Sequence, residues 1–487
     1  MGAGLGVVLT AGVAVAGAGL MAPTPPPATP THTDPVVLTR VDGPLGDGTA
    51  LVPGASFIAT PSQGWLSAFN RLYLEPHGFT GDSVAMTTPE SLYPFTGPFS
   101  MTFDSSAAQG MQIIEDAIKA QLAAGGVSAD NPIVIGGYSQ SSAIDALLMP
   151  KLAADGIDPD LLHFVLLGDP SNPNGGMLER FALPEGSTPD ATTLGLTFSG
   201  ATPSDLYPTD VYTFEYDGFA DFPQYPINLL ADINAYLGIV FNHIAYLGLT
   251  PEQLTLEADG GTLVQLPTLD PDSLTNYYMI QSESLPLLMP LRLVPFVGNP
   301  LADLLQPALS VLVNLGYGNI EEGWSPGYAD VPTTLGFLPD QSVLEQVPAA
   351  LWDGLLQGVQ DALRDLGDPA NYQLISPQTM DYVLGPLLNS ATAAFNLDGS
   401  WQDISDYLST FLAGAANWFT EGFSEISLEH TGIPFVDMAG ALLFTLPQLA
   451  VDVFNTEMAA GNPLDAIGEP LAALVGLAPL MLIGAIF

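Results

Sequence analysis

A serine between small neighbours, Ser139, is the residue of this chain best placed to act as a nucleophile. The apolar run 133–135 before it predicts a buried strand, and residues 143–152 after it predict a helix. A serine at a sharp turn between strand and helix is the arrangement of a nucleophile elbow, in which a strained turn exposes the hydroxyl. Gly137 and Ser141, two residues to either side, are small enough to let the helix approach the strand. A Gly-rich connection without chemistry has the same local pattern, so the assignment depends on a base and an acid downstream.

The candidate base and acid follow the serine in the chain order of α/β-hydrolases, which is Ser, acid, His. His243 is the candidate base, because the other four histidines lie in a linker, before the candidate acids or far towards the C terminus. These four are His32, His77, His163 and His430. Two aspartates follow the predicted strand 211–216 and could orient the imidazole, although Asp is also common in turns. Asp221 is favoured over Asp217, since its Gly-x-x-Asp spacing lets the chain leave the strand before it turns back.

Two donors are predicted to stabilise the oxyanion that forms when a serine attacks an ester. The backbone N–H of Gln140 follows the nucleophile directly and is expected to point towards the developing charge. Thr60 begins the loop 60–64 after an apolar run at 56–59, and this loop is well placed to supply the second donor. Together these residues predict the formation of an acyl-enzyme on Ser139.

The elements that must position these residues alternate between strand and helix as far as about residue 320. Strands are predicted at 50–52, 56–59, 133–135, 161–167 and 211–216, and helices at 105–124, 143–152 and 228–246. Asp104 is the predicted N-cap of the first of these helices. Such alternation predicts the α/β class, with a parallel sheet and helices on both faces. After Tyr328 only helices are predicted, at 343–366, 377–396, 401–423 and 442–460.

The chain divides into four predicted regions. Residues 1–22 are signal-like, apolar and small, with Ala16-Gly17-Ala18 in the A-x-A form of a cleavage site, although no Lys or Arg precedes Arg40. We therefore expect export to the cell envelope or the medium. A Pro/Thr-rich linker at 23–35 precedes the predicted hydrolase domain at 36–320. The helical extension at 321–487 is interpreted either as a packed subdomain or as a lid that shelters an acyl chain and ends in a tail facing a membrane.

Composition limits the partners and cofactors. With 52 acidic against 7 basic residues the formal net charge is −45, which excludes nucleic-acid binding and leaves only hydrophobic contact with membranes or envelope lipids. The absence of Cys excludes thiol catalysis and disulfides. No motif for a metal or for a nucleotide or other cofactor is present in its proper context, so neither is expected. The sequence indicates no protein partner.

Several segments resemble the mycobacterial PE-PPE domain, a cutinase-like group of serine α/β-hydrolases of the cell envelope. They are GYSQS at 137–141, GDPSNPNGG at 168–176, YDGFADFP at 216–223 and LGYG at 315–318, so the resemblance covers about residues 36–320. The strings GYSQ and HIAY (243–246) are also similar to cutinases. Asp169 and Asn172 depart from the Asn and Arg usual in that loop, and cutinase disulfides are absent. No PE or PPE segment precedes the domain, which would make this a stand-alone version.

The resemblance implies a cutinase-like α/β-hydrolase fold and a reaction on acyl esters or glycolipids. The acyl-enzyme would be resolved by water, as in an esterase or lipase, or by the hydroxyl of a sugar such as trehalose, as in an acyltransferase. Ser139, His243 and Asp221 would form the triad, with Asp217 as the alternative acid. A catalytically silent lipid-binding or scaffold protein on the same fold is the rival interpretation, because fold alone does not fix function.

Overall fold

The computed structural model describes residues 45–97, 99–396 and 431–484. The signal-like segment, the linker and the predicted helix at 401–423 lie outside the described residues.

A seven-stranded, mostly parallel sheet forms the centre of the described chain. Its strands are β1 (Thr49–Val52), β2 (Asp82–Ala85), β3 (Ile133–Tyr138), β4 (Leu162–Leu167), β5 (Thr209–Phe214), β6 (Leu263–Leu266) and β7 (Thr275–Ile280). The spatial order is β2-β1-β3-β4-β5-β7-β6, and only β6 runs antiparallel to its neighbour. The adjacent strands β3, β4 and β5 are fully buried, and their carboxyl ends meet at one edge of the sheet.

Helices cover the sheet and continue beyond it. As far as residue 320 they are α1 (Gln63–Phe69), α2 (Phe103–Ala124), α3 (Gln140–Ala154), α4 (Met177–Arg180), α5 (Leu229–Phe241), α6 (Met289–Arg292) and α7 (Gly298–Asn314). They are followed by α8 (Gln341–Leu344), α9 (Val347–Gly367), α10 (Pro377–Thr379), α11 (Gly385–Phe395), α12 (Pro434–Gly440), α13 (Leu446–Ala460) and α14 (Pro463–Gly484). A π-helical turn at Met380–Leu384 joins α10 to α11 in one helical rod. The predicted α/β class is confirmed by this mostly parallel sheet with flanking helices and a helical C-terminal region.

Some predicted elements differ from the observed ones at their ends. Thr102, not Asp104, is the N-cap of α2, because its side chain accepts the N–H of Ser105, while Asp104 accepts the backbone N–H of Thr197 at 3.0 Å. Residues 56–59 form a tight turn rather than a strand, since Ala55 and Ile58 exchange backbone hydrogen bonds of 3.1 and 2.8 Å. The predicted helix 228–246 ends at Phe241, so His243 lies on the loop that follows α5.

The last three helices, α12, α13 and α14, share the main hydrophobic core of the sheet. Buried side chains of α12, α13 and α14, such as Met438, Val453 and Leu477, belong to the same apolar cluster as Ile135 and Phe164 of the central strands. The contact is also polar, because the Tyr93 hydroxyl donates to Asp437 Oδ2 at 2.6 Å. This packing favours the interpretation of the extension as a packed subdomain over its interpretation as a lid that shelters an acyl chain.

Two stretches of this C-terminal region, Pro434–Ala460 and Pro463–Met481, are long and apolar enough to cross a membrane. That statement rests on length and composition alone. In the most apolar 18-residue part of each stretch, only 33% and 39%, respectively, is buried.

Candidate active site

The turn after β3 has the geometry of a nucleophile elbow. Ser139 adopts φ +60° and ψ −116°, a conformation that residues other than glycine rarely adopt. A Cβ at Gly137 would lie 2.7 Å from the Cα of Ser142, so no larger residue fits between strand and helix there. The Ser141 hydroxyl donates to the carbonyl of Gly54 at 2.6 Å and so joins the elbow to the chain after β1. Gly137 therefore has the role that the sequence predicts, which is to let the helix approach the strand, while Ser141 is held by the hydrogen bond of its hydroxyl.

Ser139, His243 and Asp217 form a continuous hydrogen-bonded line at this edge of the sheet. Ser139 Oγ lies 2.7 Å from His243 Nε2, and His243 Nδ1 lies 2.7 Å from Asp217 Oδ2. The carboxylate can only accept, so Nδ1 carries its proton and Nε2 is left to accept the serine proton. All three side chains are buried, and Ser139 is only 9% exposed.

The structure corrects the choice between the two aspartates. Asp221 Oδ2 accepts the backbone N–H of Tyr216 at 2.9 Å, and none of its described hydrogen bonds reaches His243. The reason is the position of the turn: Tyr216 has φ +65°, so the chain reverses directly after β5 and brings Asp217 to the imidazole. The N–H of Asp221 donates back to the carbonyl of Asp217 at 2.6 Å, which places Asp221 one turn further along, behind the acid.

Residues that the sequence-based argument did not single out hold this line in place. The Tyr246 hydroxyl donates to Asp217 Oδ2 at 2.8 Å and accepts the N–H of Phe214 at 2.7 Å, while the Tyr138 hydroxyl donates to the carbonyl of His243. The ring of Phe219 meets the imidazole edge-on, with 4.8 Å between centroids. Tyr138, Phe219 and Tyr246 all lie in the segments that carry the family resemblance, and this is the signal that could have found them.

A glycine at the end of β4 leaves room for the imidazole. Gly168 has φ +56°, and a Cβ there would lie 3.1 Å from His243 Cε1 and 3.0 Å from Tyr246 Cε2. Any larger residue would crowd the ring whose position determines the transfer of the serine proton.

The two residues predicted to donate to the oxyanion, Gln140 and Thr60, lie in different surroundings. Gln140 is the first residue of α3, and N–H groups in the first turn of a helix have no acceptor within the helix. Its side chain accepts from Ser56 Oγ at 2.7 Å and donates to the carbonyl of Ser91 at 2.8 Å. Thr60 is exposed, and its hydroxyl pairs with that of Thr87 at 2.8 Å. The tight turn at 55–58 brings the Ser56 hydroxyl to the side chain of Gln140, whereas none of the described side-chain hydrogen bonds of Thr60 reaches Gln140 or Ser139.

Buried carboxyl groups lie behind the elbow and the acid loop. Burial raises the pKa of Asp169 to about 6 and that of Glu90 to about 7. Burial also raises the pKa of Asp221 well above its usual range, while the nearby guanidinium of Arg180 opposes the shift. The pKa of Asp145, beside Gly137, is raised by burial and then by the charges of other acids. These groups hold protons far more tightly than exposed carboxylates do.

The departures from the family pattern at positions 169 and 172 have structural roles. Asp169 Oδ1 accepts the N–H of Ser171 at 2.9 Å, and Asn172 Nδ2 donates to the carbonyl of Ala220 at 3.1 Å. The loop after β4 is thereby joined to the loop that carries Asp217. In the described part of the chain no group of three or more His, Asp or Glu side chains is arranged to hold a metal ion.

Comparison with known proteins agrees with the resemblance. The PE-PPE domain model matches residues 80–318, which include Ser139, Asp217 and His243. Among curated proteins of Mycobacterium tuberculosis (strain ATCC 25618 / H37Rv), the uncharacterized PPE family protein PPE28 is 39% identical over 88% of this chain and 63% of its own length. Esterase PE16 is 41% identical over 68% of this chain and 61% of its own length. The SL1278 acyltransferase Chp1 is 27% identical over 56% of this chain and 66% of its own length. The chain thus spans less than two thirds of the length of each of these relatives.

Proposed function

This chain carries a PE-PPE domain at residues 80–318, and from that premise we propose that the protein is a carboxylic ester hydrolase with Ser139 as its nucleophile. The observation that carries the proposal is the hydrogen-bonded line from Ser139 through His243 to Asp217, with distances of 2.7 Å at both steps. The name of the relative PE16, an esterase, supports the same class of reaction.

In the first half of the proposed reaction Ser139 Oγ attacks the ester carbonyl carbon and its proton passes to His243 Nε2. Asp217 stays ionised and stabilises the imidazolium. The carbonyl oxygen becomes an oxyanion, and in this proposal the backbone N–H of Gln140 and a second donor from the segment that contains Ser56 stabilise it. When the intermediate collapses, His243 returns the proton to the departing alkoxide, and an acyl group remains on Ser139.

In the second half a hydroxyl compound attacks the acyl-enzyme and gives its proton to His243, which returns it to Ser139 Oγ as the new product leaves. If the attacking compound is water, the product is a carboxylic acid and the protein is an esterase or lipase. If it is the hydroxyl of a sugar such as trehalose, the product is a new ester and the protein is an acyltransferase. The name of the relative Chp1 supports this second outcome.

Apolar side chains around the nucleophile support a lipid acyl group as substrate. Phe57, next to Ser56 in the tight turn, is 62% exposed and has φ +73°, so a bulky ring is held at the surface in a strained conformation. Ile244, directly after His243, is 52% exposed, and Phe219 packs against the imidazole. Each CH₂ that an acyl chain buries against such groups contributes about 0.8 kcal/mol.

We also propose that the protein is exported and meets its substrate in the cell envelope. The signal-like residues 1–22 support export. Contact with envelope lipids through the C-terminal region is supported by exposed apolar residues of α12 and of the π-helical turn after it, such as Phe435 and Phe444, at 68% and 73% exposure.

Labelling with a fluorophosphonate probe tests the proposed nucleophile, because only an activated serine reacts with it. We expect one label on the full-length protein, located at Ser139 by peptide mass spectrometry and absent from Ser139→Ala. Ser342→Ala, at an exposed serine of α8, is the matched control and should label like the parent. A folded parent protein that takes no label would instead support the rival interpretation, a catalytically silent lipid-binding or scaffold protein.

A further inference from the structure

The helical rod 377–395, made of α10, the π-helical turn and α11, lies beyond the matched residues 80–318 and contacts the loop that carries the base. Ser390 is buried and its hydroxyl donates to the carbonyl of Ile244 at 2.6 Å. Gly248 lies against the rod so closely that a Cβ there would be 1.9 Å from the carbonyl oxygen of Pro386. The loop after His243 is therefore in direct backbone contact with a helix from outside the matched domain.

The same rod also contacts the opposite side of the site. The Ser62 hydroxyl donates to the carbonyl of Ala393 at 2.6 Å, and a Cβ at Gly64 would lie 2.7 Å from that oxygen. Ser62 is the N-cap of α1 and ends the segment that starts with Ser56, the partner of Gln140. One helix, α11, thus contacts both the base loop and the segment on the oxyanion side.

The start of the rod is fixed by a buried polar network. Thr379 Oγ1 donates to the carbonyl of Arg292 at 2.9 Å and accepts from Asn299 Nδ2 at 3.2 Å. The Arg292 guanidinium in turn donates to Asp303 Oδ1 at 2.6 Å. Because Arg292, Asn299 and Thr379 are all buried, water does not compete freely for the hydrogen bonds of this network. Because the start of the rod is fixed, α11 at its end can hold the base loop and the segment 56–62 in position.

We propose that α11 positions the catalytic base and that Ser390 is a positioning residue for His243, an inference that rests on the proposed function. His243 lies just beyond the end of α5. Its backbone N–H still donates to the carbonyl of Gly238 in that helix at 2.8 Å, but its carbonyl accepts from a side chain of another element. The Tyr138 hydroxyl binds the carbonyl of His243 from the sheet side, and the Ser390 hydroxyl binds the next carbonyl, that of Ile244, from the rod. The two hydroxyls hold consecutive peptide units and so fix the direction in which the imidazole leaves the chain.

The test removes the Ser390 hydroxyl in the full-length protein and measures hydrolysis of p-nitrophenyl butyrate. We expect Ser390→Ala to lower kcat about tenfold or more with little change in KM. A displacement of the imidazole by a fraction of an ångström slows proton transfer from Ser139 but does not weaken substrate binding. Ser390→Thr keeps the hydroxyl and should recover most of kcat. Thr392→Ala is the matched control, because it removes, from the same helix, a hydroxyl that makes no described hydrogen bond to the base loop. Its kcat should equal that of the parent.

Amide hydrogen exchange separates positioning from general weakening. Ser390→Ala should speed exchange in peptides that cover residues 241–248 and leave the strand β3 unchanged, with the same Tm as Thr392→Ala. If Ser390→Ala does not fold, Ser390→Cys is measured in its place, because a thiol is a weak donor of similar size. An unchanged kcat in a folded variant, or an equal loss in Thr392→Ala, would overturn the inference.

The failure of this inference differs from a failure of the proposed function. If the parent hydrolyses the ester and Ser139→Ala does not, while Ser390→Ala keeps full kcat, only the positioning role is wrong. If neither the parent nor any variant hydrolyses the ester or takes a fluorophosphonate label, the proposed function is wrong and the positioning role with it.

Discussion

Asp217 and Asp221 are both fully buried and only four residues apart, yet their surroundings assign them different roles. Asp217 accepts hydrogen bonds from the imidazole N–H and from the Tyr246 hydroxyl, so it is the residue that orients the base. Asp221 has a single backbone donor, and its other oxygen has no hydrogen-bond partner in the described residues. Residue type and spacing could not separate them, because the decision rests on the positive φ of Tyr216, which an aromatic residue rarely adopts.

Substitution of the two aspartates tests this assignment. Asp217→Asn should lower kcat/KM for p-nitrophenyl butyrate by about 10³ to 10⁴, because the imidazole loses the partner that fixes its tautomer. Asp221→Asn should cost much less activity. Circular dichroism of both variants controls for folding, and a larger loss in Asp221→Asn would return the role of the acid to that residue.

The space that Gly168 leaves for the imidazole gives a second prediction at this scale. Gly168→Ala should lower kcat, because its Cβ would meet both the imidazole and the Tyr246 ring. Gly186→Ala is the matched control: Gly186 also has a positive φ, +75°, but a Cβ there meets no atom within 4 Å. Both variants should lose about 1 kcal/mol of stability through backbone strain. Equal kcat values in the two variants would show that Gly168 matters only for its backbone conformation.

At the scale of elements, the strand and helix around Ser139 could be predicted because β3 begins as a compact apolar run and the first ten residues of α3 contain no Gly or Pro, Pro150 standing only near its end. The edge strands β2 and β6 could not, since they are short and largely lack buried residues. The tight turn at 55–58, which replaces the predicted strand 56–59, could not be predicted either. The turn that brings Ser56 to Gln140 places Phe57 at φ +73°, where glycine is the expected residue.

The C-terminal helices give the prediction that belongs to this scale. As an acyl-chain shelter, the extension could be removed without loss of short-chain hydrolysis. The structure instead leads us to expect that a chain ending near residue 325 is insoluble or loses activity equally on butyrate, octanoate and palmitate esters. The reasons are that the core of the sheet would be exposed and that α11 would be missing from the base loop. Retained butyrate activity with a selective loss on palmitate would support the lid.

At the scale of the whole molecule, the net charge of −45 and the buried acids both lower the stability of the folded state as the pH rises. Burial raises the pKa of Glu215 to about 7 and that of Asp232 to about 8. A raised pKa means that the folded state binds the proton more tightly than the unfolded chain. The stability that these groups contribute is complete below about pH 4, where both states are protonated, and is lost as the pH rises through the folded value.

We therefore expect the Tm to fall as the pH is raised from 5 to 8.5. Added salt should recover part of the loss at pH 8.5 by screening the repulsion between surface acids. Asp232→Asn provides the matched variant, because neither oxygen of Asp232 has a hydrogen-bond partner among the described residues. This substitution should raise the Tm more at pH 8.5 than at pH 5, because Asp232 is already neutral at pH 5. A Tm that rises with pH would contradict the assignment of these acids as protonated.

The most direct test of the central claim is the rate at which the full-length protein hydrolyses p-nitrophenyl octanoate, compared with Ser139→Ala at equal concentration. The line of hydrogen bonds from Ser139 to Asp217 predicts that the parent hydrolyses the ester and that the variant falls to within the background rate, with an unchanged circular dichroism spectrum and Tm. A folded Ser139→Ala protein that keeps a rate near that of the parent would contradict the claim that Ser139 is the nucleophile.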